Sequence, residues 1–352
     1  MSKYPIIFKA AVLEEHNKPL AIKDVEFEGP LLPGQVLVRI HYSGICGKQI
    51  EEIQGTKPDP FLPHLLGHEG SGVVVDTGPG VKKVVAGDYV VLHWMKGSGI
   101  DADTPIYKCE GRRVNAGWIT TFNEYVVISE NRITPIPKEA DLSIACLLGC
   151  AVTTGVGVVL NEARLSPGDT VAVFGCGGVG LNIILGTVLI KASSIIAVDR
   201  CPEKLKLAVD LGATDIINSD TADVVEEIKK ITSGKGVENV FIAVASPAIM
   251  EAAVESASAP GAVFFVGVPP PEARISINAL DIHRKKTLYG ACGGGIIPEK
   301  HIPLYLNLYT KGLLPLDKIV ADIVGLEQIN DSIQSMCSGT PGRFIVRMSD
   351  NE

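Results

Sequence analysis

Two thiols, one imidazole and a glycine-rich turn are the groups with the clearest chemistry to offer in this 352-residue sequence. The thiols and the imidazole lie in three short glycine-flanked segments. These are Gly44-Ile45-Cys46-Gly47, Gly67-His68-Glu69-Gly70 and Gly149-Cys150-Ala151-Val152-Thr153-Thr154-Gly155. Two thiolates and one imidazole make the Cys₂His set of a catalytic zinc site, which leaves a fourth position open for water or substrate. Taken singly, each residue has a plainer reading. Cysteines are among the most buried residue types, and a lone histidine on an apolar face is usually a core residue.

The turn is Gly175-Cys176-Gly177-Gly178-Val179-Gly180. Thr170 to Phe174 before it reads as a buried strand, and Leu181 to Ile190 after it reads as the helix returning across the sheet. Ile195 to Val198 is the next strand, with Asp199 at its end, nineteen residues beyond Gly180. In that context Gly175, Gly177, Gly178, Val179 and Gly180 place a dinucleotide pyrophosphate on the helix N-terminus. Asp199 would accept hydrogen bonds from the ribose and repel a 2′-phosphate, which favours NAD over NADP.

The elements around these groups fall into two styles. Ala10–Leu13, Gln35–Ile40, Gly72–Val75, Asp88–Leu92 and Tyr125–Ile128 are short strands bounded by Gly, Pro and Asp. From Val171 the pattern alternates: helix over Lys204–Leu211, strand at Ile216-Ile217, helix over Ala222–Ile231, strand over Val240–Ala243, helix over Pro247–Ser256 and strand over Val263–Val266. Repeated βα units of this size predict a doubly wound parallel sheet, so the fold class is α/β with a mostly-β first part. The tail after Gly293 returns to helix and strand and ends in Arg343–Arg347. Hydrophobic content of 46% and charged content of 20% fit a soluble globular protein with room for two cores. The net charge of −8 argues against nucleic acid and anionic membranes as partners. Met1 to Phe8 lack the apolar core of a signal peptide, and the eight cysteines are dispersed, so a cytoplasmic location is expected.

Together the three ligand segments and the glycine turn resemble the zinc-dependent medium-chain alcohol dehydrogenases. The likeness runs over nearly the whole chain, through Pro33-Gly34-Gln35-Val36-Leu37-Val38, Gly67-His68-Glu69, Pro167-Gly168-Asp169, Val266-Gly267-Val268-Pro269-Pro270, Ile329-Asn330 and Gly342-Arg343. The resemblance implies a GroES-like catalytic domain over 1–151 and 293–352, with a Rossmann NAD-binding domain over 152–292. It implies that Cys46, His68 and Cys150 hold the catalytic zinc, with Glu69 just behind the metal or briefly on it. Thr154 and Val268 would flank the nicotinamide, Arg343 would grip the pyrophosphate, and Arg200, Lys204 and Val266 would line the dinucleotide. A thiolate at Cys150, where polyol dehydrogenases of the superfamily usually have Glu, favours the alcohol-dehydrogenase branch.

Three departures from that pattern matter. Many relatives carry four closely spaced cysteines in the stretch corresponding to Leu92–Asn123, whereas this chain has only Cys109 there. One cysteine cannot build a closed Cys₄ site, so one catalytic zinc and no structural zinc are expected. The usual hydroxyl relay two residues after Cys46 is replaced by Lys48, followed by Gln49 where Asp is usual, and Glu51 stands near the place of the relay histidine. A desolvated, neutral Lys48 near zinc could accept the alcohol proton; in the other reading it turns outward and pairs with Glu51 or Glu52. Trp94 would wall the substrate pocket, with His64 and His93 nearby.

The expected reaction is hydride transfer between a small alcohol, or its carbonyl, and NAD. The rewritten proton path and lobe fit a specialised substrate such as a sugar or cyclitol. The rivals are a zinc-free quinone or enoyl reductase, and an NAD-binding homologue without turnover. A homodimer or higher homo-oligomer is expected, with Arg274–Asn278 as the pairing edge.

Overall fold

The computed structural model describes residues 4–56 and 61–348. Its second half is built on an all-parallel sheet of six strands. In spatial order these are Asp215–Asn218, Ser194–Asp199, Thr170–Phe174, Val237–Ile242, Ala257–Phe265 and Thr287–Gly290. In chain order that is 3-2-1-4-5-6, so the winding reverses between the first and fourth strands and a crevice opens beyond their carboxyl ends. Both faces are covered by helices, which is why the central strand is apolar without alternation: Val171, Ala172, Val173 and Phe174 are all fully buried. The helices Gly178–Leu189, Pro202–Asp210, Val224–Ile231 and Pro247–Ser256 fall where the periodicity placed them. Val224–Ile231 shows the local logic. Asp223 caps its start, Glu226 and Glu227 occupy the first turn, and Lys229 and Lys230 the last, each matching the helix dipole.

The first half, with the tail, holds two arrays, antiparallel throughout except for the parallel pair Val320–Gly325 and Arg343–Arg347. One joins His64–Leu65, Ile6–Leu13, Ala21–Phe27, Tyr107–Cys109 and Arg112–Val114. The other runs Ile133–Ile136, Tyr89–His93, Glu69–Thr77, Gln35–Gly44, Arg343–Arg347 and Val320–Gly325, with Tyr125–Ser129 also on Gln35–Gly44. The last strand therefore closes a sheet begun by the first residues. One apolar cluster runs from Val91 and Ile136 through Leu147 and Val156 to Val173 and Ile184, so the two halves share a core. Among the described residues no single helix is long and apolar enough to cross a membrane.

The expected edge strand at Arg274–Asn278 is not a strand. Its Ile275 and Ile277 turn inward onto the cluster around Met250 and Val254. The Ser276 N–H goes to the Glu251 carboxylate at 2.7 Å, and Asn278 caps helix Ala279–His283. Those uses remove it from any ladder. The sheet ends instead at Thr287–Gly290, which pairs only with Ala257–Phe265.

Candidate active site

Each member of the thiol–imidazole group stands at the end of a regular element. Cys46 leaves strand Gln35–Gly44 and caps helix Gly47–Ile53, with the preceding Ile45 N–H donating to the Phe344 carbonyl at 3.0 Å. His68 precedes strand Glu69–Thr77 and follows Gly67, whose φ of +93° suits glycine and whose Cβ would strike Thr121. Cys150 opens helix Ala151–Gly157. The two sulfurs and a ring nitrogen of His68 all lie within 4.8 Å of one another.

That group fits a zinc ion. The buried Nε2 of His68 has no hydrogen-bond partner, so a lone pair is available to face the two sulfurs. The other ring nitrogen, Nδ1, lies 2.6 Å from the Gln49 side-chain nitrogen, while the Gln49 oxygen accepts the Cys46 N–H at 3.1 Å. A histidine that ligates through Nε2 carries its proton on Nδ1 and needs an acceptor there. An amide can supply one by turning over, whereas a carboxylate always does. The thiols themselves are unequal. A hydrogen bond from Cys150, opposed by burial and aided by His68 and Arg343, holds Cys46 well below the usual thiol range. The same bond, with burial, pushes Cys150 well above it. The Thr154 and Trp94 side chains act on the Cys150 thiol in the opposite direction and lower it.

Glu69 is fully buried directly behind His68. It accepts the Ala151 N–H at 3.1 Å and forms an ion pair with Arg343, itself only 3% exposed. Arg343 was expected to reach a pyrophosphate. Its side chain does lie over the glycine turn, since a Cβ on Gly178 would meet Arg343 Cδ at 2.5 Å. It thus spans from the turn to the acid beside His68. At the turn, Gly175 has φ +95°, and a Cβ on Gly180 would sit 1.7 Å from the Gly175 carbonyl oxygen. Asp199 accepts the Cys176 N–H at 2.7 Å and the Cys201 N–H at 2.9 Å, which pins the turn to the second strand. Arg200 is exposed, Lys204 and Thr154 flank the turn and the thiols, Val266 is buried in the shared core, and Val268 is 59% exposed.

Two openings meet this machinery. A cavity of about 230 Å³ is bordered by His68, Gln49, Trp94, Trp118, Arg132 and Glu52. A cleft of about 440 Å³ separates Glu51 and Thr56 from Val268 and the Pro269–Pro271 run. Lys48 is paired with Glu51 at 2.5 Å, the outward arrangement. A carboxylate partner favours the charged ammonium, which is the opposite of what a base requires. His93 is a core residue, donating or accepting at Met95 and Thr134, and burial pushes its imidazole down to about 4. Cys109 lies in an apolar cluster with Phe8 and Tyr107, and burial raises its thiol. Among the described residues, the Cys46, His68 and Cys150 group is the one set of His, Cys, Asp and Glu with metal-ligand spacing.

Comparison with known proteins decides the family. Residues 32–138 match the alcohol dehydrogenase GroES-like domain, and residues 178–310 match the zinc-binding dehydrogenase family. The chain is 32% identical to an S-(hydroxymethyl)glutathione dehydrogenase of Escherichia coli O1:K1 / APEC, over 96% of this chain and 99% of that one. The chain belongs to the zinc-dependent medium-chain alcohol dehydrogenases. A zinc-binding-domain alcohol dehydrogenase from Burkholderia ambifaria superposes with TM-score 0.92 at 31% identity, covering 98% of this chain and all of the other. Benzyl alcohol dehydrogenase from Acinetobacter calcoaceticus gives TM-score 0.89 at 29% identity, with the same coverage. The GroES-like and Rossmann halves are thus those of alcohol dehydrogenases, and the zinc-free reductase reading is not favoured. Sequence reading missed Arg132 and Trp118 at the cavity. The signal was there: Trp94 and Trp118 are the chain's two tryptophans, and both border the same space.

Proposed function

We propose that this chain transfers hydride between a small hydroxyl compound, or its carbonyl, and NAD, using one zinc per chain. The observation that carries the reading is the Cys46–His68–Cys150 group, with its unpartnered His68 Nε2, whose histidine also borders the 230 Å³ cavity. When bound there, zinc supplies the Lewis acidity that lowers a hydroxyl's pKa, and the nicotinamide supplies the hydride acceptor. The protein's own residues do the rest. Gln49 orients His68 and the Cys46 backbone. Trp94 and Thr154 stand near Cys150 and favour its thiolate. Glu69 and Arg343 form a neutral, buried pair behind the ligands and tie them to the glycine turn. Val268 and the proline run face Glu51 across the cleft where a nicotinamide would lie.

The roles of Asp199 on the ribose, of Gly175, Gly177, Gly178, Val179 and Gly180 at the pyrophosphate, and of Arg200, Lys204 and Val266 along the dinucleotide belong to this proposal. So does the division into 1–151 with 293–352 and 152–292, which the membership of the last strand in the first sheet supports. We also infer a cytoplasmic homo-oligomer, whose pairing edge would be Thr287–Gly290, because that strand leaves one side of the sheet open. Elemental analysis and NAD titration test the reading together. One zinc per chain and saturable NAD binding are expected; a chain that takes up zinc at two sites, or none, would overturn it.

A further inference from the structure

The 230 Å³ cavity beside His68 has walls of an unusual composition. Trp94 forms one side and reaches Cys150; Trp118, on the opposite lip, is 71% exposed. An indole left that open at a cavity mouth offers a large flat face to a ligand. Under it lies Arg132, only 2% exposed, with its guanidinium 4.9 Å from the Trp118 ring centre. Arg132 makes a single hydrogen bond among the described residues, from Nη1 to the Trp94 backbone carbonyl, and so links the Trp118 ring to the Trp94 main chain while keeping donors in reserve. Among the described residues, burial of this cation is not balanced by a close ion pair: Asp101 acts on it only through space, and Asp101 itself is bonded to Lys96 at 2.6 Å. Glu52 and His64 border the same cavity.

Three classes of alcohol could enter. A hydrocarbon ring would cover the indoles but leave the Arg132 donors facing apolar surface, which costs free energy for every group stripped of water. A hydroxy acid would satisfy Arg132 but bring a second negative charge toward Glu52 in a confined space. A hydroxyl is both donor and acceptor, so a ring bearing several of them can accept from Arg132 and donate to a carboxylate at once. Its C–H face would meanwhile lie on an indole. The volume suits a single six-membered ring.

Resting on the reading of the chain as a hydroxyl-oxidising enzyme, we propose that this cavity selects a polyhydroxylated ring. Trp118 is the platform it stacks on, and Arg132 is the residue that reads its hydroxyls. Both are specificity-determining residues remote from the bond that reacts.

Because both tryptophans border the cavity, intrinsic fluorescence reports its occupancy without turnover. The zinc-loaded protein, with no NAD present to accept hydride, is titrated with myo-inositol, D-glucose and methyl glucoside as polyhydroxylated rings, and with benzyl alcohol and mandelate as the other classes. At least one polyhydroxylated ring should shift the emission saturably, and more tightly than benzyl alcohol or mandelate. Trp118→Ala, a change at an exposed position with Trp94 left as reporter, should weaken that binding about tenfold, as should Arg132→Ala, from the loss of a stacking face or a charged hydrogen bond. Arg132→Lys should restore little, since a point charge cannot bridge as the planar fork does. Saturation by benzyl alcohol or mandelate alone, no saturation by any polyhydroxylated ring, or unchanged affinity in Trp118→Ala would each overturn the proposal. Zinc content and NAD affinity, measured on the same samples, separate the two failures: if they hold while the ring titrations fail, only the substrate class is wrong.

Discussion

The metal-ligand group and the lobe over residues 93–132 lie on the same half of the molecule, yet they are held together by different means. The ligand group gathers soft donors whose mutual arrangement is completed by an ion: one thiol is biased toward thiolate, the other against it, and an imidazole nitrogen lacks a partner. The lobe, where many relatives place four cysteines, is fastened by carboxylates instead. Glu130 accepts the N–H groups of Lys82, Lys83 and Ile100 at 2.6–2.8 Å. Glu299, on helix Pro298–Thr310, takes the Lys83 ammonium and the Ser98 N–H, both at 2.5 Å. Gln35 adds a bond to the Asp103 carbonyl at 2.9 Å. A carboxylate gripping several backbone N–H groups can do the loop-ordering work of a metal without thiols. The lesson is that one region of this half should depend on zinc and the other on proton balance.

The sharpest way to break the contrast is to remove a ligand. Cys150→Ala should abolish zinc binding and lower turnover by about 10³-fold or more, several kcal/mol of lost Lewis-acid stabilisation, while Cys109→Ala keeps zinc and activity. Metal analysis beside steady-state rates checks both. If Cys109→Ala lost metal, the lobe would be a zinc site after all. Glu130→Ala should cost about 1–2 kcal/mol of stability, because three part-buried N–H groups lose their acceptor. Its zinc content should stay at the parental level, and thermal unfolding with and without chelator reads the difference.

Acid sharpens the contrast from the other side. Burial works against the Glu299 carboxylate, but Lys83 and the N–H groups around it win and bring it down to about 2. A carboxyl lowered in the folded state contributes stability that is complete above its ordinary range and is lost as pH falls through the folded value. The lobe should therefore loosen between about pH 4.5 and about pH 2, and Glu299→Gln should flatten that limb of the stability curve. Amide exchange in residues 96–103 follows it directly; an unchanged acid limb in the variant would remove Glu299 from the account. Asp199→Ala should shift the NAD-over-NADP preference by about tenfold, read from the ratio of kcat/KM values, through loss of one charged hydrogen-bond acceptor. The smallest effect is expected at Lys48. A part-exposed pair with Glu51 is worth about 0–1 kcal/mol, so Lys48→Ala should change turnover by less than about fivefold. A fall of about 10²–10⁴-fold would instead restore it as the general base.

Much of this was legible in the sequence, for reasons that differ from element to element. The Rossmann strands and helices could be read because buried parallel strands and their return helices carry strong, local patterns, as in Thr170–Phe174 and Pro247–Ser256. The ligand group could be read because glycine-flanked Cys46, His68 and Cys150 match a known chemistry, not because their separation in the chain foretells contact. Short strands such as Arg112–Val114 were missed, since three residues carry no periodicity. Arg274–Asn278 misled because alternation shows that a segment has one apolar face, not that it has a neighbour to pair with. For Lys48 the chain position left two directions open, and the structure pairs it with Glu51. Arg132 stayed invisible because nothing local distinguishes an arginine that will be buried under an indole more than ten residues away.

The last strand has a consequence for the order in which the protein is made. Arg343–Arg347 is inserted between Val320–Gly325 and the end of Gln35–Gly44, and the carbonyl of its Phe344 anchors the residue before Cys46. On a ribosome adding ~5–20 residues per second, roughly 300 residues, or about 15–60 s, separate the synthesis of those two partners. Throughout that interval the segment that presents Cys46 has one unpaired flank, and Glu69 has no Arg343 to neutralise it. The nascent GroES-like half is thus an unfinished sheet with an exposed edge and reactive thiols. It becomes a closed catalytic site only when the final strand is translated.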